Sequence, residues 1–144
     1  MIARGVLVVV AGVVLLAATQ AGGAVVTGQY AGTSQAKVIT KYGQLEPAVQ
    51  KGTVAFRVAT DRVTGFKLRK QRAQCPGTPG AVVVDVTIAT MPLSGARVAT
   101  GTFTHPIFGP VNVRVKVTSK SMASGSVRFA AQCHTTATFA AKAR

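Results

Sequence analysis

The sequence predicts an all-β domain: an antiparallel β-sandwich of about seven or eight strands, with a small β-barrel as the alternative. Three observations point there. The chain is rich in Val, Ala, Thr and Gly and has no Trp, which suits short pleated strands and tight turns better than helices. From about residue 53 onward, apolar and polar residues alternate with a period of two, the pattern of strands with one face in a core. Clusters of Pro and Gly cut that alternation into short lengths.

Ahead of the strands stands a leader. Arg4 supplies a short positive start, and Gly5 to Ala18 is an unbroken apolar run followed at once by small residues. The run is about 14 residues long where a bilayer-spanning helix needs about 20, so residues 1–24 are expected to be a cleaved signal peptide rather than an anchor. Cleavage after Ala24, with Gly22 at −3, is the first choice and cleavage after Ala21 the second. Residues 25–144 are then a single secreted or envelope-associated domain with no transmembrane span. No Cys stands near the cleavage region, so lipid modification is not indicated.

Within that domain, Val54, Phe56 and Val58 are expected to point inward, Thr60-Asp61-Arg62 to turn the chain, and Phe66 and Leu68 to continue the buried face to Arg72. A hairpin over 53–72 results. Pro76-Gly77-Thr78-Pro79-Gly80 is the strongest breaker. Val82, Val84, Val86 and Ile88 share the next buried face, and Met91 to Gly95 interrupts the run. Arg97 to Thr104 is a weaker strand broken by Gly101, and His105 to Pro110 is a loop. Val111, Val113, Val115 and Val117 form the most regular strand. Met122-Ala123-Ser124-Gly125 is read as the turn before Val127, Phe129, Ala131 and Cys133, and Thr135 to Ala141 closes the domain around Phe139. Residues 36–50 fit a turn of helix, an edge strand or a loop equally well.

Export bears on the two cysteines, Cys75 and Cys133. An isolated pair in an oxidising compartment is expected to bridge, and closing their 58-residue separation is worth on the order of 4 kcal/mol of unfolded-chain entropy. Two buried thiols, or a reactive Cys beside His134, are the alternatives.

No catalytic constellation is expected. Glu46, Asp61 and Asp85 are the only acids and fall in different elements, no Gly-x-Ser-x-Gly elbow exists, and His105 and His134 lie too far apart in sequence to suggest a metal pair. The expectation is a non-enzymatic domain without cofactor or metal.

Charge is the strongest functional signal. Seventeen Lys and Arg oppose three acids, for a formal charge of +14; such an excess draws a protein to polyanions. Arg57, Lys67, Arg69, Arg114, Lys116 and Arg128 all take the outward parity of their strands, which suggests a basic anion-binding face. If Val117 opposes Val127, Lys116 and Arg128 face each other directly. Nucleic acid ranks below envelope polyanions as a partner, because aromatic stacking platforms are scarce and export removes the usual targets.

Several short segments recur together: Gly28-Gln29-Tyr30-Ala31-Gly32-Thr33-Ser34, Val54-Ala55-Phe56 with Val63 to Phe66 leading to Cys75, and Ala123-Ser124-Gly125-Ser126-Val127-Arg128 leading to Cys133 and Phe139. In this order they resemble a group of small secreted actinobacterial β-sandwich proteins of unassigned function. The chain departs from that pattern by an extra segment between Gln35 and Thr53 and by Phe139 where a Trp is expected. The resemblance implies an exported β-domain with a disulfide and transfers no activity. The expected role is binding or coating an anionic component of the cell envelope or its surroundings; the alternative is a structural or protein-interaction module using a sheet edge or loops.

Overall fold

Eight antiparallel strands follow one another as a meander in the computed structural model, which describes residues 27–36, 50–73, 82–106, 108–129 and 136–144. They are β1 Gly28–Ala36, β2 Gln50–Val58, β3 Arg62–Ala73, β4 Val82–Pro92, β5 Val98–His105, β6 Gly109–Val117, β7 Met122–Arg128 and β8 Thr136–Ala143. The expected all-β antiparallel class holds. The strands form one sheet in the order β4-β3-β2-β1-β8-β7-β6-β5, nearly closed on itself, which is the barrel alternative. Pairing of the first strand with the last, from Tyr30↔Ala143 to Gln35↔Thr138, removes two edges that would otherwise be exposed. At the remaining seam, β4 and β5 are joined by the single bridge Leu93↔Ala99 and by a turn in which Ser94 N–H donates to the Val98 carbonyl at 2.9 Å.

The alternation fills the interior as expected. Val54, Phe56, Val58, Phe66, Leu68 and the valines at 111, 113, 115 and 117 are buried. Tyr30 stacks on Phe56 with centroids 5.5 Å apart, and Phe66 and Phe139 lie 5.8 Å from each other beside them, so four strands contribute rings to one cluster. Such offset contacts add to the area each ring removes from water. Burial holds the Tyr30 hydroxyl above its ordinary pKa, because desolvation disfavours the charged form.

Two bulges in β3 determine what faces where. Between β2 and β3 the register shifts at Gly65, where φ is +59°; between β3 and β4 it shifts around Lys70, at φ 57°. The second bulge inserts one extra outward residue, so Arg69 and Lys70 are both exposed and Gln71 is turned inside. There the Ser34 hydroxyl donates to Gln71 Oε1 at 2.6 Å, and Gln71 Nε2 donates to the Arg72 carbonyl at 3.1 Å. The contact spans from β1 to β3 over Gly52, where any Cβ would lie 2.6 Å from the Ser34 hydroxyl. Burying these polar groups is tolerable because they are paired.

The last hairpin differs from its sequence expectation. Met122 to Gly125 is strand, and the turn is made one step earlier, where Thr118 N–H donates to the Met122 carbonyl at 3.0 Å. Val117 therefore opposes Ala123, Lys116 opposes Ser124, and Arg128 opposes Asn112. Lys116 and Arg128 are not cross-strand partners; four residues of strand, about 13 Å, separate their levels. Gly125 serves close packing instead of a turn, since the Phe139 ring occupies the space its side chain would need.

Cys75, Cys133, His134, Glu46 and residues 1–24 lie outside the described residues. Among the described residues no helix is long and apolar enough to cross a membrane.

Candidate functional site: cationic grooves on the outer wall

All six cations expected on the outward parity are exposed. Strand order splits them into two groups. Arg57, Lys67 and Arg69 stand on β2 and β3, whereas Arg114, Lys116 and Arg128 stand on β6 and β7. Most outward residues of β1 and β8, which lie between the groups, are small or neutral, among them Ala31, Thr33, Gln35, Thr138 and Ala140; Lys142 near the end of β8 is the exception.

The register shows how one groove is built. Lys67 pairs with Ala55, Ala55 with Ala31, and Ala31 with Lys142, so one row across four strands reads cation, methyl, methyl, cation. The next row reads Arg69, Thr53, Thr33 and Ala140. With neighbouring strands about 4.8 Å apart, the lysine backbones are about 14 Å from each other. Short side chains in the middle leave a shallow groove of about 640 Å³, with Lys67 and Arg69 along one side and Lys142 and Arg144 along the other. Lysine stems at the margins are long and flexible enough to extend over such a floor.

Acids do little to offset these charges. Asp85 accepts from Arg69 Nη1 at 3.3 Å and from the Lys70 backbone N–H at 3.0 Å, and so braces the bulge. Asp61 pairs with its neighbour Arg62 at 3.1 Å. Both ion pairs are solvent-exposed, where such contacts are worth at most about 1 kcal/mol. Lys67, Lys142, Arg114 and Arg128 belong to neither of these pairs.

Lys142 and Arg144 were missed because the closing strand was drawn only to Ala141. The signal was present: Ala137, Phe139 and Ala141 are buried, and continuing the same parity by one residue turns Lys142 outward. His105 sits at the end of β5, with its ring 4.9 Å from that of Phe108 and its Nδ1 accepting from the Phe108 N–H at 3.3 Å. Asp61 lies in the turn at the opposite end of the barrel, and Asp85 is on its outer wall. Among the described residues no three of His, Cys, Asp and Glu come together as a metal site would require. No protein-family model matches the chain, and no curated protein matches it in sequence.

Proposed function

We propose that the protein is an exported, non-enzymatic domain that binds an anionic polymer of the cell envelope or its surroundings along its outer wall. The observation that carries this reading is the groove over β3, β2, β1 and β8. Its floor of Ala31, Ala55, Thr33 and Thr53 is lower than a strand surface of long polar residues would be, and its margins are cationic on both sides. A chain of that charge lying on the floor gains a favourable contact from each margin and displaces its counterions.

Exchanging Lys67 and Lys142 for Gln in the mature domain should weaken binding to heparin and polyphosphate about tenfold at low salt. The same change should make the salt dependence shallower by about one unit of slope per lysine. An equal charge change at Lys70 and Lys120, outside the groove, should have a much smaller effect. Equal losses from the two pairs would show diffuse attraction and overturn the groove. A protein-interaction role has one observation in its favour, the β4–β5 seam with Val83 at 61% exposure beside it; binding through that edge would be insensitive to salt.

A further inference from the structure

We propose a second, discrete site on β5, β6 and β7 that takes one phosphate dianion, free or as a phosphomonoester, independently of polymer binding in the groove. Two adjacent rows of outward residues build it: Thr100, Arg114 and Ser126, and beside them Thr102, Asn112 and Arg128. All six can donate hydrogen bonds, and none is an acid. All six line one depression of about 510 Å³.

The register places Arg114 and Arg128 on the diagonal of the β6–β7 ladder, since Arg114 opposes Ser126 and Arg128 lies two residues beyond it. Diagonal neighbours are about 7–8 Å apart, close enough for two guanidinium forks to converge on a single tetrahedral group. Two like charges so placed repel each other in the absence of an anion. Asn112 stands beside Arg114 on the same strand face, and the Thr102 hydroxyl donates to its Oδ1 at 3.1 Å. That bond occupies the amide oxygen and leaves the amide N–H groups for a ligand. Ser126 and Thr100 flank Arg114 with hydroxyls.

The donor set fits phosphate better than carboxylate. Two forks offer up to four N–H groups, and the amide and hydroxyls add more, whereas a carboxylate has two oxygens and a phosphomonoester has three unesterified ones. Lysine would supply the same charge as a point, without the planar fork. The Arg114→Lys/Arg128→Lys variant therefore separates a built site from general attraction.

Titrations of the wild-type mature domain with inorganic phosphate, methyl phosphate, dimethyl phosphate and acetate, at constant ionic strength and followed by backbone amide shifts, test this. Phosphate and methyl phosphate should move the amides of residues 112–114 and 126–128 saturably, at least tenfold more tightly than dimethyl phosphate or acetate. Tighter binding of inorganic phosphate would identify the free ion as ligand, and equal binding a monoester. R114K/R128K should weaken phosphate at least tenfold with its melting temperature unchanged, and Asn112→Asp should weaken it further by placing a carboxylate in the site. Lys67→Gln/Lys142→Gln should leave phosphate binding intact, even if the groove proves not to hold polymers. Unchanged affinity in R114K/R128K, or equal shifts from acetate and phosphate, would overturn the site.

Discussion

Gly32→Ala is expected to destabilise the domain by at least about 3 kcal/mol, a fall in melting temperature on the order of 10 °C. Gly32 lies between Val54 of β2 and Ala141 of β8, and an alanine Cβ would be driven into the Ala140 carbonyl. A side-chain end could swing away from such a contact. A backbone carbonyl within the sheet cannot move without disturbing the β1–β8 pairing that closes the barrel. Gly125→Ala should behave similarly, because its Cβ would meet the Arg114 carbonyl and the Phe139 ring. Gly95, with nothing within 4 Å of its would-be Cβ, is the control and should tolerate alanine within about 0.5 kcal/mol. Thermal melts of the three variants check this; equal stability of Gly32→Ala and Gly95→Ala would mean that β1 and β8 are not closely apposed.

Reduction of a Cys75–Cys133 bridge should cost on the order of 4 kcal/mol in the chain-entropy account. Two features support the proposed bridge. Export, as proposed above, would bring the chain to an oxidising compartment, and β3 ends, β4 begins, β7 ends and β8 begins at the same end of the barrel. The segments carrying the two cysteines therefore depart from one rim. Non-reducing peptide mapping of protein from culture medium should recover the linked pair together with an N-terminus near Val25. Melting should fall steeply on addition of dithiothreitol. Two alkylatable thiols, or a melting temperature indifferent to reductant, would remove the bridge from the account.

Period-two alternation carried most of the architecture. Val54, Phe56 and Val58, and the valines at 111 to 117, point inward as their spacing requires, because bulky apolar residues at every second place have one stable arrangement against a core. β1 gave no such signal. Its inward positions are Tyr30, Gly32, Ser34 and Ala36, where small and polar residues are accommodated by close strand packing and by the bond to Gln71, neither visible locally. The bulge at Lys70 reversed the parity that buries Gln71 without a glycine to mark it. The turn at Thr118 to Ser121 has neither Gly nor Pro, while Gly125 just beyond it supplied a misleading turn signal. The outward parity of the six cations was legible, but their division into two groups depends on the pairing of β1 with β8, a contact between the two ends of the domain.

On the proposed function, an anionic polymer lies in the groove over β3, β2, β1 and β8. A titration of the isotopically labelled mature domain with a heparin oligosaccharide, mapped by backbone amide shifts, tests it most directly. The largest changes should fall at residues 31–33, 53–55, 67–69 and 142–144, and should shrink together in Lys67→Gln/Lys142→Gln. Changes concentrated along the β4–β5 seam near Val83, or spread evenly over every exposed lysine and arginine, would contradict the account.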